Sequence, residues 1–408
     1  MSENHAGPRD EAPPRRPTMK DVAREAGVSA SAVSFALNDR PGVSDATRRR
    51  IVRVAERLGW RPNSAARALS GEGSGAIGMV LARPTDNLGV ESFFLQLVSG
   101  IQATLAPRDQ ALVFQMVDDI RAECELYRRW WAEGRVDGVI VVDPRVCDPR
   151  PETLAVLGLP AVIIGGMEAP GTPGGPPLPR QARLSNIWAD DSGAMNLIVH
   201  HLYGLGHRRI GHIAGAPGFA HTARRIASLR VAARRLHLEV VSVTTDFTDR
   251  QGAKAARRLF SSDTPPTALI CDNEVMAVAA VSVAAERGMV IPRDLSVVSW
   301  EDSVICRTLH PQLTALARKA DVFGHRAARQ LLALLDGGEP RQVQDPVPVL
   351  QPRESTAPPP PHPAHGPPPP SAALPDAPDA PDAPDAPDAP ETLAVPEPRT
   401  PDQEKTTP

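Results

Sequence analysis

Seven short apolar runs are spaced along the middle of the chain with helix-length stretches between them: residues 77–81, 111–116, 136–142, 161–164, 210–214, 268–271 and 295–299. Strands that alternate with helices at this spacing pair in parallel through βαβ crossovers. The pattern predicts parallel sheets from residue 76 to 357. That is long for one sheet, so two similar α/β lobes are expected. Glu168–Arg180, rich in Pro and Gly, is a loop where the alternation lapses.

Residues 18–60 follow a different rule. Thr18 with Asp21 makes a capping-box-like helix start, and Val22, Ala23 and Ala26 form an apolar face. Gly27 supplies a turn, and Ser29 caps a second helix whose buried side is predicted at Val33 and Leu37. Asn38-Asp39-Arg40-Pro41-Gly42 breaks that helix. Ser44 starts a third, with Ile51, Val54, Ala55 and Leu58 inward and Gly59 at its end. Residues 63–75 read as a short helix and a glycine-rich connector.

Both tails lack a core. Residues 1–17 are polar and proline-rich, and residues 358–408 carry proline tracts and repeated Pro-Asp-Ala triplets, so each is expected to be disordered. The net charge of −3 hides an asymmetry. Residues 18–71 hold ten Lys/Arg against five Asp/Glu, whereas ten acids face two bases from Glu354 onward. A basic head is the sign expected of a nucleic-acid-binding module. Cys124, Cys147, Cys271 and Cys306 are scattered, which suggests neither a disulfide framework nor a zinc site; no metal and no cofactor are expected. The first residues contain no signal-like apolar run, and no apolar segment is long enough to span a membrane, so a cytoplasmic location is expected.

The run TMKDVAREAGVSASAVSFALNDRPGVSDATRRRIVRVAERLGWRPNSAARALSG resembles the N-terminal signature of the LacI/GalR family of bacterial repressors. The likeness continues in Arg135-Val136-Asp137-Gly138, Leu205–Ile210, Cys271–Glu274, Asp294–Asp302, Pro311–Thr314 and Arg353–Thr356, and so covers about residues 18–357. It implies an all-α helix-turn-helix DNA-binding domain over 18–62, a hinge helix and linker over 63–75, and a two-lobed, periplasmic-binding-protein-like α/β domain over 76–357 that binds an effector and dimerises. The partners implied are a near-palindromic double-stranded operator, a second copy of the chain and a small molecule, with a sugar as the first expectation. Repression is the first reading, and activation or dependence on a co-repressor stays open.

In such a head the second helix enters the major groove N-terminus first. The resemblance places Ala30, Ser31 and Phe35 at base-reading positions, with Ser34 beside them. Ala30 and Phe35 suit thymine methyls, and none of these side chains offers a bidentate hydrogen bond, which leaves part of the specificity to the hinge and to DNA shape. Thr18, Ser29, Asn38 and Arg48 are expected on phosphates. Leu69 matches the hinge leucine that the family wedges between base pairs in the minor groove, with Arg67 beside it. A segment so rich in Ala, Ser and Gly offers that leucine no core.

For the effector, the resemblance carries Arg225, Asn273, Glu301 and Asp190 over as polar contacts, Phe93 and Phe94 as aromatic cover, and Trp300 as a bulky neighbour. Carboxylates and amides satisfy hydroxyls while rings cover the apolar face of a sugar. Departures from the family pattern reshape the pocket: Glu301 stands for an aspartate, Ser299-Trp300 for glycine plus Phe or Tyr, Ser228 for a glycine, and Arg83 for a small or acidic residue. An acidic or phosphorylated ligand therefore stays open, with Arg83 and Arg225 as its partners. An enzyme is disfavoured because His207, His212 and His221 lack a nucleophile elbow, phosphate loop or metal spacing. A transport-type binding protein would share the lobes but not the helix-turn-helix.

Overall fold

The computed structural model describes residues 15–61, 73–83, 92–166 and 183–360. Arg67, Leu69, nearly all of the hinge, the loop at 168–180 and the tail beyond 360 lie outside the described residues.

The head is three helices: α1 (Met19–Ala26), α2 (Ala30–Leu37) and α3 (Asp45–Leu58). Its small core joins Val22, Val33 and Ile51, all fully buried, to Ala23, Ala26, Ala36 and Ala55. On α2 the buried side is Val33 and Ala36, not Val33 and Leu37; Leu37 packs only at the margin. Gly27 closes α1 in the left-handed conformation (φ 62°) that a side chain disfavours. At the other end, Thr18 donates from its N–H (2.9 Å) and its hydroxyl (2.7 Å) to Asp21 Oδ2. Arg15, placed in the disordered arm from sequence, also reaches Asp21 (2.8 Å).

Beyond the head come β1 (Ala76–Ala82), α4 (Ser92–Leu105), β2 (Ala111–Val117), α5 (Ile120–Ala132), β3 (Gly138–Val141), α6 (Arg150–Leu157), β4 (Ala161–Ile164) and β5 (Leu184–Ala189). The chain continues through α7 (Asp191–Gly204), β6 (Arg209–Ala214), α8 (Ala220–Leu236), β7 (Glu239–Thr244), α9 (Asp249–Phe260), β8 (Ala268–Cys271), α10 (Glu274–Glu286), β9 (Ser296–Ser299), α11 (Val304–Thr308) and β10 (Thr314–Ala317). It ends with α12 (Ala320–Leu335), β11 (Gln342–Asp345) and β12 (Val349–Gln351).

Two six-stranded sheets result, ordered β11-β5-β4-β3-β1-β2 and β12-β10-β9-β8-β6-β7. Pairings are parallel except β10 with β12; in the first sheet Met79 stands between Phe114 and Ile140. Each sheet is the centre of one lobe, and the chain crosses between lobes after β5, after β10 and after β11. Apolar clusters fill both faces of both sheets, as parallel strands require. In the first lobe α4 and α12 approach backbone to backbone, because a Cβ on Gly100 would collide with the carbonyl of Asp321 and one on Gly324 with that of Leu97. The expected linker is already anchored at its end: Ser74 and Gly75 donate their N–H groups to Asp137 at 2.5 and 2.8 Å. Among the described residues no helix is long and apolar enough to cross a membrane.

Candidate functional site

The candidate recognition surface of the head, at the positions expected from sequence, is the exposed side of α2. Ser29 caps the helix by accepting the N–H of Ala32 (3.1 Å), and Ala30, Ser31 and Phe35 are exposed around its first turns. Phe35 is 39% accessible; its ring lies against Gly42 and outside the core. Two expectations are revised here. Arg48 points inward, donating to the carbonyls of Ala36 (2.8 Å) and Arg40 (2.9 Å) while pairing with Asp39 (2.9 Å), with only 22% of its side chain accessible. It satisfies the orphan carbonyls at the end of α2 and so fixes the helix in place of gripping phosphate. Thr18 likewise has both donors committed to Asp21, whose carboxyl those bonds hold well below the usual range.

The second site is the cleft between the lobes, a space of about 700 Å³, partly open to solvent, at the carboxyl ends of the strands. Open parallel sheets bind ligands there, because loops rather than helices cover the strand ends. The first lobe contributes Arg83, Phe93, Phe94, Asp143 and Phe323. His221, Arg225, Phe247, Asp272, Asn273 and Glu274 come from the second, as does Glu301; Asp191 and Arg318 stand where the chain crosses between lobes.

Of the seven residues expected from sequence, the cleft gathers Phe93, Phe94, Arg225, Asn273 and Glu301. Asp190 and Trp300 are corrected. Asp190 spends its carboxylate on the N-terminus of α7, accepting the Gly193 N–H at 2.8 Å, and the next residue, Asp191, faces the cleft instead. Trp300 is fully buried behind Arg225, whose guanidinium lies 4.0 Å from the ring centroid, so it positions the arginine without lining the space. Asn273 caps α10, with Oδ1 accepting the Met276 N–H (2.9 Å) and Nδ2 donating to the Phe247 carbonyl (3.0 Å).

The charges of the cleft are largely paired with one another. Arg83 binds Asp143 at 2.7 Å, and Phe94 from one lobe with Phe219 and Phe247 from the other surround its guanidinium at 4.9–5.2 Å. Arg225 reaches Asp191 (3.2 Å) and Asp272 (3.4 Å). Arg318 holds Glu301 at 2.8 Å and lies over Phe93. Burial would raise the carboxyls of Asp143 and Asp272, but the guanidiniums beside them prevail and hold both low. For Glu301 burial wins against Arg318 and its carboxyl is raised. Burial, with Arg225 close by, pushes the His221 imidazole down to about 3, so it faces the cleft uncharged. The two arginines that left an acidic ligand open are thus paired with carboxylates of the protein.

Sequence reasoning missed Asp143, Asp191, His221, Phe247, Asp272, Glu274, Arg318 and Phe323. The available signals were weak: Asp143 follows the apolar run of β3, and Glu274 adjoins Asn273 in a quoted landmark. Behind the wall, Arg150 donates to the carbonyls of Val142 and Asp143 (2.9 Å each) and is itself held by Glu123 and Asp148, which fixes the loop that carries Asp143.

Residues 18–63 match the family described as bacterial regulatory proteins, lacI family, and residues 199–356 match the periplasmic binding protein-like domain. The transcriptional regulator AglR of Rhizobium meliloti is 30% identical over 79% of this chain and 90% of its own. CelR of Thermobifida fusca is 29% identical over 79% of this chain and 93% of its own. Among solved structures, a complex of the transcriptional regulator CelR with cellobiose superimposes with a TM-score of 0.61 at 28% identity, covering 83% of this chain and all of that one.

Proposed function

The chain belongs to the lacI family of bacterial regulatory proteins, and from that premise we propose that it represses transcription from a near-palindromic operator under the control of a small polyhydroxylated molecule bound between its lobes. The observation that carries the reading is one chain holding both an exposed recognition helix and an interlobe cleft of paired acids, arginines and phenylalanines. Ala30, Ser31, Ser34 and Phe35 read bases, while Ser29 and Asn38 face phosphates; Leu69, with Arg67 beside it, is the minor-groove wedge. A homodimer presents two heads to two half-sites.

Closure of the lobes is the switch. The cleft is spanned by bonds that a ligand competes with or completes: Val146 N–H to the Gly218 carbonyl (2.9 Å), Ala220 N–H to the Pro144 carbonyl (2.8 Å), and Ser92 N–H to Glu274 Oε1 (3.0 Å). A ligand that binds one lobe spacing better than another shifts the population, and with it the spacing of two heads on DNA. CelR's complex with cellobiose supports a carbohydrate as the effector here. The test is selection of genomic fragments by the purified full chain, followed by sequencing. Enrichment of one near-palindrome that a metabolite extract releases supports the reading; retention of DNA without sequence preference, with or without extract, contradicts it.

A further inference from the structure

Among the described residues, one carboxylate of the cleft has no cationic partner. Asp143 is bound by Arg83, Asp191 and Asp272 by Arg225, and Glu301 by Arg318. Glu274 is in no ion pair among the described residues. It opens α10, is 1% accessible and lines the cleft. Its Oε1 accepts the Ser92 N–H across the lobes, and its Oε2 is buried without any hydrogen-bond partner among the described residues.

Such a group is costly in isolation. A buried acceptor left unmade costs about 1–3 kcal/mol, and more where it is charged. The N-terminal turn of α10 offsets part of the negative charge, but it supplies no donor to Oε2. Neighbouring Glu301 already engages Arg318, and among the described residues the one titratable base left on the wall, His221, is held neutral by burial. What completes this wall is a donor, and a cationic donor satisfies both the empty lone pairs and the unbalanced charge.

We propose that the effector is a hydroxylated ring bearing a protonated amine, an amino sugar in chemical class, and that Glu274 receives the amine. The inference rests on the reading of the cleft as the effector site. The already paired guanidiniums leave no cation for a carboxylate or phosphate on the ligand, so the acidic counterpart is excluded by the same charges. Phe93 and Phe94 then cover the apolar face of the ring.

The test is calorimetric titration of the full-length protein with three matched hexose series, glucose, galactose and mannose, each as neutral sugar, 2-amino sugar, N-acetylated amino sugar and uronate. One amino sugar is expected to bind at least about tenfold more tightly than its neutral parent, the loss expected for one charge-assisted hydrogen bond. Its N-acetylated form, which keeps the ring and removes the charge, and the uronate are expected to lose that advantage. Glu274→Gln is expected to erase the preference for the amine; if that variant does not fold, the comparison of amine with N-acetyl on the wild type decides alone. Binding of a neutral sugar or uronate as tight as the amine overturns the inference while the effector-site reading stands. No binding by any amino sugar overturns it too, and the effector-site reading is then judged by release of DNA with the metabolite extract.

Discussion

The head and the cleft use arginine in the same way and present their partners with opposite surfaces. In the head, Arg48 is turned onto the carbonyls that end α2, leaving Ala30, Ser31 and Phe35 outward. In the cleft, Arg83, Arg225 and Arg318 are locked onto carboxylates, leaving aromatic rings and, among the described residues, one acid in no ion pair. A guanidinium seen in sequence beside a binding site is thus as apt to be scaffold as contact. The difference lies in burial. The cleft carries its charge network inside the protein, where breaking a pair is costly, whereas the head's reading face is solvated and nearly uncharged, so changes there cost binding and not folding.

The comparison is broken most forcefully at Asp272. Its carboxylate meets Arg225 at 3.4 Å, His212 at 3.1 Å and the Gly215 N–H at 2.8 Å. Replacing it with alanine leaves the buried Arg225 with Asp191 alone and takes the acceptor from His212 and the Gly215 N–H, and a loss of about 3–5 kcal/mol is expected in denaturant unfolding of the second lobe. A loss under about 1 kcal/mol would mean that the network is solvated and the contrast with the head is wrong.

Next comes Arg48→Ala, expected to destabilise the head by about 1.5–3 kcal/mol, the range for hydrogen bonds to a charged group. The salt dependence of DNA binding should stay unchanged, where a lost phosphate contact would lower the log–log slope by about one. A smaller slope with unchanged stability would restore Arg48 to the phosphate backbone.

His221 sharpens the contrast through pH. Its imidazole has a folded-state value of about 3 against an ordinary 6.5, so between those values the unfolded chain binds a proton that the folded chain refuses. Stability therefore falls as pH drops from about 6.5 toward 3, by at most about 1.4 kcal/mol per pH unit from this group. Unfolding curves of His221→Asn across that range should lose this part of the slope; an unaltered slope would show that His221 titrates normally.

The smallest folding effect is expected at Phe35. Phe35→Ala should leave stability within about 0.5 kcal/mol of wild type, as for an exposed side chain, while operator affinity falls. Lost stability with intact operator binding would make Phe35 a core residue after all.

Which parts were legible follows from range. The head was readable because caps, turns and apolar spacing are local: Ser29, Gly27 and Ser44 each mark an end within a few residues of what they cap. Apolar runs named the strands β3, β4 and β8, buried along their length, and also the edge strand β2, which is apolar apart from Gln115 although half-exposed. The edge strands β7, β11 and β12 were not named, because they are half-solvated and carry Glu, Gln and Ser among their apolar residues; the largely buried β5 and β10 were missed as well, since Ser, Asn and Thr break up or shorten their apolar runs. In the cleft, register decided the outcome. Asp190 and Asp191 are adjacent, and the capping geometry of α7 alone determines which one faces inward. Arg83 and Asp143 lie 60 positions apart, and no local pattern announces that they neutralise one another.

The most direct measurement of the central claim is the operator affinity of the full chain, by fluorescence anisotropy on a selected fragment, with and without the sugar that calorimetry shows to fill the cleft. Saturation is expected to change the dissociation constant by about 5- to 150-fold, the usual span of coupling between two sites. An operator affinity unmoved by a demonstrably occupied cleft would contradict the account, and would leave this chain a DNA-binding head joined to a binding domain that does not control it.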